Sequence, residues 1–244
     1  MIYLKCSLCL LTILLWCVPS TSASEPTYLY KVKLVQAAPG KLLELIELHK
    51  SSLTGYKEAG DEQPLTLRHS QGDRWDLFIL IPMKSYEAYY APERMAKRKQ
   101  SLRETQAKLD ALIAWQEDLF VYGPPLSELQ TAFASSAFFH VEMFDALAAK
   151  QSELYKEREM ENAYLKALKR PENFIFVRDQ GAAWDLFTIG AYRDLKHFAE
   201  SAGIPETDQD SAARIAGFEA ANRIGPYLRT LINLHHDTLA VSVK

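Results

Sequence analysis

The chain has 244 residues, 48% of them hydrophobic, and carries 28 basic against 31 acidic side chains, a formal net charge of −3. So even a balance supplies no basic field of the kind that holds nucleic acid, and a chain of this length can bury a full core as one large or two small domains. Its cysteines, Cys6, Cys9 and Cys17, all fall in the first two dozen residues.

Those first residues differ from the rest. Lys5 is their only charge, Leu10 to Val18 is almost wholly apolar, and Pro19-Ser20-Thr21-Ser22-Ala23 follows. The pattern reads as a secretory signal, residues 1–23, cleaved before Ser24. Its apolar run is shorter than the roughly 20 residues of a membrane span, although a retained anchor helix is the alternative. Cleavage takes Lys5 from the 28 basic residues and leaves 27 against 31 acidic, with no cysteine. Disulfides and thiolate chemistry are thereby excluded from the mature chain. The expectation is an exported protein, periplasmic or secreted, with no stable membrane span once cleaved.

Tyr28 to Val35 alternates apolar and polar residues as a half-buried strand does. From Gly40 to Tyr56, residues Leu42, Ile46, His49, Leu53 and Tyr56 fall on one helical stripe. Two short strands, Leu65 to His69 and Trp75 to Ile81, are joined at Gln71-Gly72-Asp73, where a glycine suits a positive φ. A second helical region is broken at Pro92, and a strand around Asp118-Leu119-Phe120-Val121 closes the unit. The stretch after Gly123-Pro124-Pro125, residues 126–136, reads as a linker. Beyond it the same order recurs: a strand from Phe138 to Phe144, a charge-rich helix between Ala146 and Leu168, a hairpin, a helical region broken at Gly225-Pro226, and a last strand.

The recurrence is a duplication. An offset of 109 places Gln71-Gly72 on Gln180-Gly181 and Trp75-Asp76-Leu77-Phe78 on Trp184-Asp185-Leu186-Phe187, and 12 of 49 positions are identical between Tyr30/Phe139 and Phe78/Phe187. Further on the second copy needs about ten extra residues, best placed at 201–210, expected as a surface loop. The units are then 24–125 and 137–244. Strand, helix, hairpin, helix, strand is the ferredoxin-like βαββαβ arrangement, so the fold class is α+β. One such sheet leaves a face bare. The two repeats should therefore pack sheet to sheet as an intramolecular α/β barrel, and the chain should fold as a monomer.

With this order, the duplication, and the passages from Trp75 to Tyr86 and from Trp184 to Phe198, the chain resembles the dimeric α/β-barrel superfamily in a tandem form, over essentially all of Tyr28 to Val243. The resemblance implies a choice among cofactor-independent monooxygenases of the antibiotic-biosynthesis type, haem-binding members such as chlorite dismutases, and stress-response barrels of uncertain activity. Fold alone does not choose.

Alternation nominates the site. If Tyr30, Val32, Leu34, Phe139, Val141 and Met143, with Trp75 and Leu77, meet the helices, the opposite faces carry Lys31, Lys33, His140 and Glu142, with Asp76, Phe78, Asp185 and Phe187. The expectation is a polar-lined cavity between the sheets that binds a small organic molecule. His140, Asp185 and Asp76 are its candidate proton-transfer residues, and Lys31, Lys33, Glu142, Phe78 and Phe187 its ligand-binding residues. The competing reading of the same charges is a structural ion-pair network, and with it a non-catalytic protein-interaction module. If the protein is an enzyme, it is a monooxygenase-like oxidoreductase. No metal and no cofactor are expected; haem is the alternative, ligated by His197 or His235, which fall where haem-binding relatives use a histidine. His69 and Arg178, at matching positions by the hairpins, are a further candidate for an anionic group. The run Arg94 to Lys99 reads as the solvated face of a helix. HExxH, GxSxG and glycine-rich phosphate-loop motifs do not occur in the chain.

Overall fold

The computed structural model describes residues 27–243. The proposed signal peptide lies outside them. In the first repeat the elements are β1 (Tyr28–Ala37), α1 (Leu42–Glu58), β2 (Leu65–Gln71), β3 (Leu77–Lys84), α2 (Tyr86–Tyr89), α3 (Pro92–Asp110) and β4 (Ile113–Gly123). Helix α4 (Leu126–Ser135) leads to the second: β5 (Phe138–Ala146), α5 (Gln151–Ala167), β6 (Phe174–Gly181), β7 (Leu186–Tyr192), α6 (Leu195–Ala199), α7 (Glu206–Ile215), α8 (Ile224–Arg229) and β8 (Ile232–Ser242).

Local chemistry repeats with the sequence. Ser85 and Asp194, one offset apart, both cap short helices, Ser85 accepting the Ala88 N–H at 3.1 Å and Asp194 that of His197 at 2.8 Å. Pro92 starts α3 at its first turn, where its missing N–H costs nothing.

Each repeat forms a four-stranded antiparallel sheet, and the two join at their edges, β2 to β8 and β4 to β6, in the closed order β1-β3-β2-β8-β5-β7-β6-β4. This is the tandem α/β barrel that the duplication predicts. Closure leaves no unpaired edge. Both seams need a glycine in a left-handed conformation: Gly72 (φ 121°) abuts the backbone of Asp237 and Thr238, and Gly181 (φ 94°) that of Asp118 and Leu119.

The facing of β1 and β5, and of Trp75, reverses the expectation. Tyr30, Val32, Leu34, Phe139, Val141 and Met143 turn into the barrel, where they form one apolar core with Trp75, Phe78, Leu119, Val121, Phe176 and Phe187. Rings fill the centre: Phe78 meets Phe187 at 5.3 Å, Phe176 stacks on Phe187 at 4.5 Å, and Tyr30 sends its hydroxyl to Pro124 O at 2.7 Å. Phe78 and Phe187 point inward as alternation predicts, but they pack the core instead of walling a polar cavity. Leu77, Ile79 and Ile81 face α1, and Phe144 and Leu186 face α5 and α8.

Two segments read as irregular are helical. All but the last residue of 126–136 form α4, whose Leu126, Leu129 and Phe133 close one end of the core, Phe133 lying 4.6 Å from the Phe139 ring; each buried side chain contributes about 2 kcal/mol. The insertion at 201–210 gives the end of a 3₁₀ turn (Glu200–Gly203) and the start of α7, which buries Ala212 and Ala213 and packs on α5. Small apolar residues at the end of an acidic stretch were the available signal. Among the described residues no helix is long and apolar enough to cross a membrane.

Candidate functional site

The predicted site residues separate into three places. Asp76 and Asp185 are fixed to the ends of the first strands of the two repeats. Asp76 Oδ2 accepts the Ala37 N–H at 2.8 Å and Asp185 Oδ2 that of Ala146 at 2.9 Å, at the points where the β1/β4 and β5/β8 ladders lose register. The same two residues return their own N–H groups to Val35 O and Phe144 O. Asp185 also pairs with Arg178, so Arg178 is already engaged. These aspartates do not meet His140 or the lysines in a common cavity. A bulge frees a backbone N–H that needs a partner, and a carboxylate supplies it.

Lys31 and Lys33 lie on the outer face of the first half-sheet, Lys31 beside Phe120 and Lys33 beneath α1 and α3. Lys31 pairs with Asp118 at 2.6 Å. Lys33 has no hydrogen-bond or ion-pair partner among the described residues, and burial, opposed by the charge of Asp118, holds its ammonium below the usual lysine range. It lines a cavity of about 30 Å³ walled by Val35, Leu45, Leu77, Ile79, Leu109 and Ile113, space for about two waters.

His49, Ser52, Tyr56, Gln106 and Gln116 complete the lining. His49 is 4% exposed and its Nε2 lies 2.8 Å from Thr66 Oγ1. Burial, and after it the charge of Lys33, push its imidazole down to about 4, so it is neutral at physiological pH. Sequence reasoning placed His49 on the apolar stripe of α1 without assigning it chemistry; its neighbour Lys33 comes from another element, which helical periodicity does not reveal. The outer wall is α3, which buries none of its residues completely.

His140 and Glu142 hold the corresponding place in the second repeat, on the outer face under α5. His140 Nε2 is 3.4 Å from Asp237 Oδ1, and His235 Nε2 is 3.1 Å from Asp237 Oδ2. Arg158, 2% exposed, sits among Glu157 at 2.5 Å, Glu161 at 2.6 Å and Glu142 at 3.7 Å. Burial raises Glu142, and raises Glu157 and Glu161 to about 7, against the opposing charge of Arg158. Arg158, Glu157, Glu161 and Asp237 were not among the predicted residues. Their signal was the charge of the second helix, which weakened its helical pattern.

Haem would need an open apolar face beside His197 or His235. His235 lies parallel to the Phe144 ring at 6.1 Å, with the Arg158 guanidinium 4.8 Å from the same ring. His197 lies in α6, its Nδ1 accepting the Arg193 N–H at 3.2 Å and its ring edge-on to Tyr192. The surface beside His235 is thus taken up by a buried ionic network, where an apolar macrocycle would strand carboxylates. As folded, the surroundings of His235 do not fit haem.

No family model matches the chain, and no curated protein matches it. Solved structures do. An anthrone oxidase-like protein superposes with a TM-score of 0.61 at 12% identity, covering 91% of this chain and 94% of that one. A candidate monooxygenase of Fusobacterium nucleatum subsp. nucleatum gives 0.54 at 10% identity, covering 89% and 93%. A candidate chlorite dismutase gives 0.50 at 12% identity, covering 89% and 96%. Identities this low carry the fold alone: the chain shares the tandem α/β-barrel architecture of these structures.

Proposed function

We propose that the first-repeat cavity binds a small aromatic molecule bearing a carboxylate or an oxygen that becomes anionic on proton loss, and that the protein oxidises a molecule of the second kind with dioxygen without a cofactor. The observation that carries this reading is an unpaired lysine beside a neutral, buried histidine in a mainly apolar cavity. Lys33 would hold the anionic oxygen, and the aliphatic wall from Val35 to Ile113 the ring. His49, uncharged and fixed by Thr66, is the proton acceptor. Taking a proton from an activated CH₂ leaves a carbanion, which gives electrons to dioxygen and forms a C–O bond. The resulting hydroperoxide loses water to leave C=O, so that CH₂ and O₂ become C=O and H₂O. Likeness to an anthrone oxidase-like protein and to a candidate monooxygenase supports the class of reaction.

The cavity as folded holds about two waters, so an aromatic ring enters only when α3 moves outward. A helix held by a half-buried edge is suited to that movement. Export remains part of the proposal, the mature chain beginning at Ser24.

The test uses the full mature chain with anthrone in an oxygen electrode, together with an NMR titration by 2-naphthoate. Expected are oxygen uptake with anthrone, lost in His49→Gln, and naphthoate shifts confined to β1, α1 and α3. Shifts without oxygen uptake would reduce the protein to a binding module. Shifts in neither cavity residues nor α3 would end the proposal.

A further inference from the structure

Neither lysine of the first repeat's outer face recurs in the second, where His140 stands for Lys31 and Glu142 for Lys33. Residues related by the offset of 109 take the same register: Lys31 and His140 each face a partner near Asp118 or Asp237, and Lys33 and Glu142 each pair with that aspartate across the ladder. In the first repeat the Lys31 ammonium lies 2.6 Å from Asp118. In the second an imidazole replaces that ammonium, and Glu142 adds a carboxylate where Lys33 stood. The local cation that remains, Arg158, is shared among three carboxylates, nearest to Glu157 and Glu161 at 2.5 and 2.6 Å and farther from Glu142 at 3.7 Å. Behind it Glu157, fully buried, keeps its Oε1 without a partner.

We infer that His140, Glu142 and Asp237 bind a divalent first-row transition-metal cation, which takes the place that the lysine ammonium groups fill in the first repeat. One donor atom from each of the three lies within 4.8 Å of the others. Adjacent donors of such an ion are about 3 Å apart and opposite ones about 4 Å, given bonds near 2.1 Å, so a side-chain adjustment of about 1 Å closes the set. One imidazole with two carboxylates suits Mn²⁺, Fe²⁺, Co²⁺ or Zn²⁺ and not a soft monovalent ion.

The surroundings match a ligand set. His235 holds the second oxygen of Asp237 at 3.1 Å, and the Thr188 hydroxyl donates to Glu142 at 3.3 Å, which orients both carboxylates. Asp237 is 52% exposed at its side chain, so an ion reaches the site from solvent. Three protein donors leave positions for water or a small ligand. The site is separate from the cavity around Lys33, and its fate does not depend on the oxidation proposed there.

The experiment titrates Co²⁺ alone into full mature chain stripped with chelator, followed by visible absorption and calorimetry. Expected is one Co²⁺ per chain with d–d absorption. Asp237→Asn and Glu142→Gln should each weaken binding by at least about tenfold, with unchanged circular dichroism. His140→Lys, which rebuilds the lysine–aspartate pair of the first repeat, should abolish binding and raise the melting temperature of the metal-free protein. Failure to bind at millimolar Co²⁺, or binding that these substitutions leave intact, overturns the assignment. Because Asp237 is half exposed, Asp237→Asn decides the matter even if Glu142→Gln fails to fold.

Discussion

Lys33 and Glu142 occupy one register position in the two half-sheets, each opposite an aspartate on the closing strand and each beneath the first long helix of its repeat. Opposite charges at equivalent places make the two covered faces chemically different although their backbones repeat. Lys33→Gln should therefore weaken binding of 2-naphthoate by about tenfold or more, leave binding of neutral naphthalene within about twofold, and leave the second repeat unaffected. Equal losses for the acid and the hydrocarbon would show that Lys33 shapes the cavity and does not hold an anion.

His49 gives a pH dependence whose sign follows from its depressed pKa. Above about 6.5, its ordinary value, the group is neutral folded and unfolded and stability is complete. As pH falls toward about 4 the unfolded chain takes the proton first, and stability is lost. The loss should reach about 3 kcal/mol below pH 4. Glu157 and Glu161, raised to about 7, act in the opposite direction, their contribution present at low pH and lost as pH rises. The measurement is thus a difference: urea unfolding of wild type against His49→Gln between pH 4 and 7. The advantage of wild type should shrink as pH falls. A constant difference would mean that His49 titrates normally.

Asp76 is a clamp on the Ala37 N–H. Asp76→Ala should cost about 2 kcal/mol in urea unfolding by leaving that N–H without its acceptor, and naphthoate affinity should hold. Asp185→Ala should cost more, because it also removes the carboxylate that pairs with Arg178. Loss of ligand binding at unchanged stability would instead return both residues to the catalytic role that alternation suggested.

Much of the barrel was legible. Identity at Gln71-Gly72 and Gln180-Gly181 located the turns that become the two seams, and Trp-Asp-Leu-Phe located the third strand of each unit. Facing was not legible, since alternation says which residues share a face and not which face is inside. Closed on itself and plugged by α4, the barrel interior has the less access to water, and it took Tyr30, Val32 and Leu34. Lys33 and Glu142 went to the helical side, where polar side chains and partial exposure meet them. His140 and Glu142 share a face, as alternation predicts, but it is the outer face and not a cavity between the sheets, and Asp237, Arg158 and Glu161 join them there through folding from distant stretches. The helical nature of 126–136 was hidden by Gly123-Pro124-Pro125, which marks the start of that helix and not a flexible tether.

Gly72 and Gly181 carry the seams. With φ of 121° and 94°, and backbone of the other repeat against each, neither accepts a side chain without parting the strands. Gly72→Ala or Gly181→Ala should lower stability by at least about 2 kcal/mol. Amide exchange should then quicken along β2 and β8 in the first variant and along β4 and β6 in the second. Uniform exchange across the barrel would show that the seams are not separately weakened.

Edge-to-edge closure within one chain also has a hereditary consequence. A barrel assembled from two copies of one gene product must accept each mutation twice, so its two halves stay alike. Here every codon is read into one half only. Lys33 and Glu142 show what that freedom permits: descendants of one ancestral position have acquired opposite charges while the common framework has been kept.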